Sequence, residues 1–272
     1  MPEIAEVETV RNTLKGLILH KKIKDVSILY PRIVENDLET FKKNLIGKEF
    51  NDIKRIGKWL LFEIGDYYLL SHLRMEGKFF LKNSKEEMSK HEHVIFHFDD
   101  QTDLRYHDTR KFGRMNLVLK REVNNVKAIK KQGIEPIDKN LTKEYLYEKF
   151  KKRNLPMKTL LLDQTIISGL GNIYANEVLF ASRISPFKKG NTITLKECEK
   201  IATNANLIIE DAIKSGGTTI RSYTSQLGVT GRFQQFLKVH KREKEPCFNC
   251  NSIIKKEQIG GRGTYYCPKC QK

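Results

Sequence analysis

The chain begins Met1-Pro2-Glu3, so removal of the first methionine would leave a secondary amine one residue from a carboxylate. An α-amino group titrates at about 7.7–8.0. Much of it is therefore an uncharged nucleophile near neutral pH, and amines form Schiff bases with carbonyl-like carbons. A second reactive group closes the chain: Cys247, Cys250, Cys267 and Cys270, in the pattern Cys-x2-Cys-x16-Cys-x2-Cys. Paired thiolates two residues apart can share one tetrahedral zinc ion, and the spacer suits a β-hairpin. Sulfur fills all four positions, so the expected zinc is structural rather than catalytic. Cys198 shares an apolar helical stripe with Leu195, Ile201, Ala205 and Ile208, and reads as an inert core thiol.

Between these ends lie stretches with less specific chemistry. Lys58-Trp59 and Ser71–Lys78 interrupt apolar runs, and Asp108-Thr109-Arg110-Lys111-Phe112-Gly113-Arg114 is a basic turn around an aromatic. Such a turn can set a wedge and cations against a DNA groove, and an ordinary solvated hairpin loop accounts for it equally well. Ser168-Gly169-Leu170-Gly171-Asn172 opens a helix with a tight glycine turn. Its N–H groups suit an anion such as a DNA phosphate, with a plain interhelical turn as the alternative. No strand precedes it and Tyr174 stands at the third glycine position, which excludes a dinucleotide-binding fingerprint. His91-Glu92-His93 and His97 lack the helical zinc-protease spacing and read as structural histidines of a strand. In the hairpin between the cysteine pairs, Gly260-Gly261-Arg262-Gly263 would present an arginine for groove or phosphate contact.

The totals narrow the partner. Lys plus Arg number 50 against 33 Asp plus Glu, a net charge of +17. An excess of this size points to a polyanion, foremost nucleic acid. No apolar run is long enough to span a membrane, and the acidic N-terminus lacks a signal-peptide pattern, so a cytoplasmic protein is expected.

Those residues need elements to hold them. Ile4, Val7, Val10, Leu14, Leu17 and Ile18 have the spacing of one helix face, with Pro2 suited to a first helical position and Glu3, Glu6 and Glu8 in the first turns. Strands are expected at Ile23–Leu29, Phe50–Ile56, Trp59–Ile64, Tyr67–Leu73, Lys78–Leu81, His93–Phe98, Thr102–His107 and Met115–Leu119, a density that suggests a β-sandwich. Gly133 and Pro136 mark a linker over 132–140. Helices then follow: one capped by Thr142 with a Leu141/Leu146 staple, one after Pro156, one from about Asn172 to Ala181, and one from the capping box Thr194-x-x-Glu197 to Gly216-Gly217. Residues 217–235 form a long loop rich in Gly, Ser, Thr and Gln, a length that is uncommon without a function. The expected class is α+β multidomain: an N-terminal helix and β-sandwich over 2–131, a helical domain over 141–237, and a zinc finger over 238–272.

These features together resemble the bacterial formamidopyrimidine-DNA glycosylase family, also called 8-oxoguanine DNA glycosylase. The resemblance covers essentially the whole chain and is most specific at Pro2-Glu3…Glu6-Val7-Glu8-Thr9-Val10, Asp108–Gly113, Leu162-Asp163-Gln164 through Gly169-Leu170-Gly171-Asn172-Ile173-Tyr174-Ala175-Asn176-Glu177, and the zinc hairpin. It implies a monomeric repair enzyme with a helix–two-turn–helix domain, acting on double-stranded DNA that contains oxidised purines or abasic sites. It further implies that Pro2 attacks the anomeric carbon and forms a Schiff base resolved by β- and δ-elimination, that Glu3 protonates the sugar ring oxygen, and that Lys58 assists. Met75, Arg110 and Phe112 match residues that fill the void left by the extruded base, Arg110 facing the orphaned cytosine. His72, Asn172 and Arg262 match phosphate-binding positions, with Arg262 counted in the catalytic set. Lys158 matches a lysine near the lesion, Glu76 a residue near the purine, and Arg221, Ser222 and Tyr223 a loop that caps it.

The chain departs from the family pattern at two places. Ala5 replaces the second proline of Pro-Glu-Leu-Pro-Glu, and His240-Lys241 replaces the common Tyr-Gly pair before the zinc hairpin. Neither change touches Pro2, Glu3 or Lys58. An endonuclease VIII-like branch acting on oxidised pyrimidines is the nearest rival, and a non-catalytic zinc-finger DNA-binding protein the rival of another class. The second leaves the Pro2-Glu3 terminus without a role.

Overall fold

The structure, a computed structural model, describes residues 1–218 and 232–272. Arg221, Ser222 and Tyr223 of the expected capping loop lie outside the described residues. The chain divides into two units. Among the described residues, the first holds Met1–Pro2 and Glu6–Lys130, and the second holds Glu3–Ala5, Lys131–Thr218 and Arg232–Lys272.

Helix α1 (Ile4–Ile18) buries Val7, Val10, Leu14 and Ile18, the residues whose spacing marks its apolar face. These join a core formed by two four-stranded antiparallel sheets. One sheet has the order β1-β6-β7-β5, with β1 at Ile23–Ile28, β5 at Lys78–Asn83, β6 at Glu92–Phe98 and β7 at Thr102–His107. The other has the order β2-β3-β4-β8, with β2 at Phe50–Ile56, β3 at Trp59–Ile64, β4 at Tyr67–His72 and β8 at Arg114–Leu119. Every expected strand is present within two residues of its expected bounds. Phe50 packs edge-on against Phe62, Phe96 and Phe98, the geometry that aligns ring edges with ring faces.

The structure adds a helix that the sequence patterns above do not predict, α2 (Leu38–Leu45). Asp37 caps it by accepting from Thr40 N at 2.9 Å, and it buries Phe41 and Leu45. A short helix α3 (Lys127–Lys130) closes the unit. The strand histidines are structural, as expected. His93 Nε2 donates to the Asp108 carbonyl at 2.8 Å, and His97 bridges Ser27 Oγ and Asp103 Oδ1, each at 2.8 Å.

The N-terminus differs from expectation in one respect. Pro2 is not the first helical residue, because α1 starts at Ile4. Glu3 lies just before α1, and its carboxylate is directed to N–H groups elsewhere in the chain.

The second unit is helical: α4 (Lys143–Phe150), α5 (Met157–Leu162), α6 (Asn172–Ala181) and α7 (Leu195–Lys214), followed by the hairpin β9 (Lys255–Ile259) and β10 (Arg262–Tyr266). Thr142 caps α4 by accepting from Tyr145 N at 3.2 Å. The capping box of α7 is complete, with Thr194 Oγ1 accepting from Glu197 N and Glu197 Oε2 accepting from Thr194 N. Gly216 and Gly217 end α7 at φ of 72° and 76°, where a Cβ would be strained. Cys198 is fully buried on its apolar stripe, and that burial pushes its thiol up to about 12.

The stretch expected as a linker packs onto this unit. Gly133 N donates to the Gln164 carbonyl at 2.8 Å, Ile134 pairs with Ile167, and a Cβ on Gly133 would meet the Ile166 carbonyl oxygen at 2.3 Å. Helix α6 is buried on nearly all sides, from Tyr174 to Phe180, including the polar Asn176 and Glu177. A helix without a solvent face must satisfy its polar side chains internally. The partners of those side chains define the site.

Candidate active site and nucleic-acid interface

In the helical unit the site is built on the start of α6. The Glu3 carboxylate accepts from Gly171 N at 2.7 Å, Ile173 N at 2.9 Å and Tyr174 N at 3.3 Å. These are N–H groups that a helix leaves unpaired at its N-terminus, and the positive end of the dipole adds to them. The main chain is held as well: Ile4 N donates to the Gly169 carbonyl at 3.0 Å. Gly169 is at φ 91°, and a Cβ there would press into the Ile4 side chain at 2.7 Å. The glycine turn expected to grip a phosphate thus holds an anion from this chain, the carboxylate of Glu3.

Lys158 on α5 was expected as a DNA contact near the lesion. It is fully buried, with Nζ donating to the Asn172 carbonyl at 2.9 Å and to Asn176 Oδ1 at 2.5 Å. Burial pulls its ammonium down to about 7, against the opposing pull of Glu3 and Glu177, while the charge of Arg262 adds to the lowering. An internal cation that close to neutrality is a functional-site candidate by its chemistry.

Asn172 donates through Nδ2 to the Gly263 carbonyl at 2.9 Å, which ties the start of α6 to the hairpin. Its Oδ1 is buried without a partner among the described residues. Arg262 opens β10 and is exposed, immediately after Gly260 and Gly261 at φ of 56° and 73°. Two successive positive φ values make the tight hairpin turn that suits antiparallel twist.

The four cysteines converge as their spacing predicts. Their sulfurs all lie within 4.8 Å of one another, with Cys247 to Cys270 at 3.9 Å and Cys250 to Cys267 at 3.4 Å. Zinc–sulfur bonds of about 2.3 Å require tetrahedral edges of roughly 3.8 Å, so the donor set fits one zinc ion. These residues are the ligands of a structural zinc. Phe180 of α6 packs with Val239, Ile254 and two of the cysteines in one small core.

Two residues of α6 with no role assigned from sequence anchor the chain that leads into this module. Glu177 is buried and accepts from the backbone N–H groups of Lys238, Val239 and His240 at 2.8, 3.1 and 2.8 Å. Asn176 Nδ2 lies 2.8 Å from His240 Nδ1. The signals available from sequence were their place in the motif shared with the family and the polar pair Asn176-Glu177 in a mostly apolar helix.

In the sandwich unit the remaining residues gather at one end of the two sheets. Trp59 and His72 are opposite each other in the β3–β4 register, and His72 faces Arg114 in the β4–β8 register. Lys58 precedes Trp59 and is nearly buried. His72 Nδ1 accepts from Arg74 N at 3.0 Å, and Trp59 packs edge-on at 4.8 Å between ring centres. An Nδ1 acceptor leaves the proton on Nε2, so the ring is neutral. Burial lowers His72 to about 3, helped by the charges of Arg74 and Lys58.

Met75 lies in the β4–β5 connection, and Arg110 and Phe112 lie in the β7–β8 connection. Both apolar side chains are exposed, Met75 by 36% and Phe112 by 51%. The Arg110 guanidinium sits 4.8 Å from the Phe112 ring centre, a cation–π distance. Thr109 donates to the Glu76 carboxylate, joining the two connections. That bond holds the Glu76 carboxyl below its usual range, aided by Arg110 and Lys78.

Asp108 organises this turn, a role not read from sequence although an aspartate opening a turn is a known N–H collector. It is fully buried, and its carboxylate accepts from Arg110 N at 3.0 Å, Phe112 N at 2.9 Å and Gly113 N at 2.8 Å. Gly113 is obligatory, because a Cβ there would fall 1.7 Å from the Tyr106 hydroxyl.

Comparisons with known proteins agree with this division. Residues 1–115 match the formamidopyrimidine-DNA glycosylase N-terminal domain, 132–224 the formamidopyrimidine-DNA glycosylase H2TH domain, and 244–272 the zinc finger found in FPG and IleRS. A formamidopyrimidine-DNA glycosylase of Bacillus cereus is 46% identical, covering 100% of this chain and 99% of that one. One from Listeria monocytogenes is 43% identical, covering 100% of both. Among solved structures, Lactococcus lactis Fpg with an abasic site containing DNA superposes at a TM-score of 0.94, with 40% identity and 99% of both chains covered. The wild-type Lactococcus lactis enzyme with N7-benzyl-Fapy-dG containing DNA gives 0.94 and 40% identity, with 100% of both chains covered. The fold, the zinc ligands and these full-length similarities lead to one conclusion: the chain belongs to the formamidopyrimidine-DNA glycosylase family.

Proposed function

We propose that this repair glycosylase excises oxidised purines from duplex DNA with Pro2 as its nucleophile, and that it also cleaves abasic sites. After loss of Met1, the Pro2 nitrogen attacks the anomeric carbon of the damaged nucleotide, and the glycosidic bond breaks as the base departs with its electron pair and takes a proton from water. The new ammonium must shed a proton, and the adjoining Glu3 carboxylate takes it. Transfer of that proton to the sugar ring oxygen opens the ring and leaves an iminium ion on Pro2. β- and δ-elimination then release the sugar and leave a gap. A covalent intermediate of this kind divides one high barrier into lower ones.

The observation that carries this reading is the grip of three α6 N–H groups on Glu3. Such a grip prevents a flexible acidic side chain from wandering and fits a proton shuttle better than a surface carboxylate. Lys58 and His72 share one end of the sandwich and are assigned to the phosphates beside the lesion, His72 as a neutral donor. Exposed Met75 and Phe112, with Arg110 over the ring, have the character needed to fill the void left by a flipped base. Asn172 and Arg262 are assigned to the backbone of the damaged strand, Arg262 from its exposed turn. Arg221 and Tyr223 are assigned to the extruded purine on the family pattern alone. The zinc finger supplies a rigid mount for Arg262, not a reacting group. Among the described residues no helix is long and apolar enough to cross a membrane. We infer a cytoplasmic site of action, where thiols stay reduced and available to zinc.

Borohydride trapping on a duplex with 8-oxoguanine opposite cytosine tests the assignment. The expected product is a covalent adduct mapped to Pro2 by mass spectrometry. Trapping on a lysine, or none from zinc-loaded protein lacking Met1, would refute Pro2 as the nucleophile.

A further inference from the structure

His240 stands where the family pattern has a tyrosine, and it is buried beneath the start of the zinc module. Its ring packs edge-on against Tyr265 at 5.0 Å between centres. Asn176 bridges it to Lys158. The Lys158 ammonium has only donors, so the atom of Asn176 that faces it at 2.5 Å must be the carbonyl oxygen. The amide NH2 therefore points at His240 Nδ1, 2.8 Å away. An NH2 group donates, so Nδ1 must carry the lone pair and the proton must sit on Nε2. Only one tautomer of His240 is compatible with this chain, and in that tautomer Nδ1 anchors the Asn176 NH2 while the amide oxygen faces Lys158.

We propose that His240 is a positioning residue for Lys158, acting as a tautomer-fixed acceptor that holds the Asn176 amide in the orientation Lys158 requires. The inference rests on the reading of Lys158 as part of the active site. Among the described residues Lys158 is otherwise held by the Asn172 carbonyl, and it lies in the fields of Glu3, Glu177 and Arg262. Without the His240 acceptor the amide is anchored at one end only and can swing out of line, so the ammonium would lose one of its two acceptors among the described residues. Burial keeps His240 neutral, lowering it to about 4 with help from Lys158 and Lys241, so the acceptor is present throughout the working range. A tyrosine hydroxyl can turn to donate or accept. The imidazole here commits to one role.

A double-mutant cycle with three substitutions tests this. His240→Phe keeps the ring against Tyr265 and removes the acceptor, His240→Asn offers a carbonyl oxygen near the Nδ1 position, and Lys158→Met removes the dependent cation. Single-turnover excision of 8-oxoguanine is the readout, with zinc content and unfolding midpoint recorded for each variant. His240→Phe is expected to slow excision up to about tenfold, the upper weight of one neutral hydrogen bond. His240→Asn should recover most of that loss. In the Lys158→Met background, His240→Phe should add less than about twofold. The pH–rate limb that depends on Lys158 should move to lower pH in His240→Phe, because an ammonium without an acceptor loses its proton sooner. Equal losses from His240→Phe with and without Lys158, or equal losses from the Phe and Asn variants, would overturn the proposal. Unchanged excision in Lys158→Met alone would instead overturn the placement of Lys158 in the site, which separates the two failures.

Discussion

Gly171 lies where any side chain would collide with Glu3: a Cβ at this position would stand 2.3 Å from the Glu3 carboxyl carbon and 2.5 Å from Oε1. The backbone there, at φ −129°, is open to any residue, so the demand for glycine comes from the carboxylate and not from the turn. Gly171→Ala is therefore expected to push Glu3 off its three N–H donors. Over-packing of this kind destabilises by about 1–3 kcal/mol, and a displacement near 1 Å at a reacting group can cost about 10²-fold in rate. Excision kinetics beside a denaturant titration would check it. A rate within twofold of the parent would show that the grip on Glu3 is not used in the reaction.

Asp108 gives a parallel test in the sandwich unit. Replacing it with alanine leaves the N–H groups of Arg110, Phe112 and Gly113 without their acceptor. Orphaned buried donors cost about 1–3 kcal/mol each where water cannot reach them, so a total near 3 kcal/mol is expected. The turn bearing Arg110 and Phe112 should lose its shape. Excision of a base from an intact duplex should suffer more than cleavage at a preformed abasic site, which has no base to extrude. Equal losses on both substrates would contradict a void-filling role for this turn.

Acid should weaken the fold through two buried histidines, with the raised carboxyl of buried Glu177 acting in the opposite direction. His72 is lowered to about 3 and His240 to about 4, burial being the main cause in each case. An unfolded histidine titrates near 6.5, so below that pH the unfolded chain binds protons that the native chain does not. Stability is then fully present above pH 6.5 and falls as pH drops toward 4, by up to about 1.4 kcal/mol per pH unit for each histidine. Lowered carboxylates such as Glu8 and Asp52 act only below their unfolded values near 4, outside this window. Urea titrations at pH 7.5, 6.5 and 5.0 would show the slope, and His72→Gln should reduce it. A slope between 6.5 and 5.0 that His72→Gln leaves unchanged would exclude a neutral, buried His72.

Zinc removal should act locally. The core around the cysteines consists of a few side chains and cannot hold residues 244–272 in place alone. Structural zinc contributes about 10–16 kcal/mol of apparent binding energy in zinc-finger peptides. Chelation with thiol modification should raise hydrogen exchange across the hairpin and weaken duplex binding, while α4 and α7 remain protected. Full DNA affinity in zinc-free protein would remove the hairpin from the interface.

Exposed Arg262 should show itself in the salt dependence. Each phosphate neutralised by a cation steepens the fall of log K with log salt by about 0.9 on duplex DNA. Arg262→Ala should reduce that slope by about one unit, whereas His72→Gln should weaken binding with little change of slope, since a neutral donor displaces no counterion. A slope unchanged by Arg262→Ala would place this arginine away from the phosphates.

Much of this architecture is legible in the sequence because its causes are local. Alternating apolar residues specify the strands of the sandwich. Thr142 and the Thr194/Glu197 box start two helices, Gly216-Gly217 ends one, and the cysteine spacing selects a tetrahedral metal site. In each case the partners lie within a few residues, or in the zinc site within two short pairs. Family likeness extends that reading to Pro2, Glu3, Lys58, Arg110 and Phe112 as a set, but not to what holds each one.

Helix α2 was not anticipated, and Pro2 was placed inside a helix that begins two residues later, because tertiary partners override weak end signals. Glu3 reaches N–H groups 168 to 171 positions away, on a helix whose own turn looked made for phosphate. Lys158, matched from sequence to a lysine near the lesion, is held inside by its partners on α6. Asp108, Asn176, Glu177 and His240 gain their roles from donors and acceptors brought together only by folding. Sequence alone determined the elements and the reactive residue types, since propensity, capping and ligand spacing are short-range. Tertiary structure decided which buried group answers which, since a hydrogen bond depends on distance in space and an unpaired buried donor must find whatever partner the packing supplies.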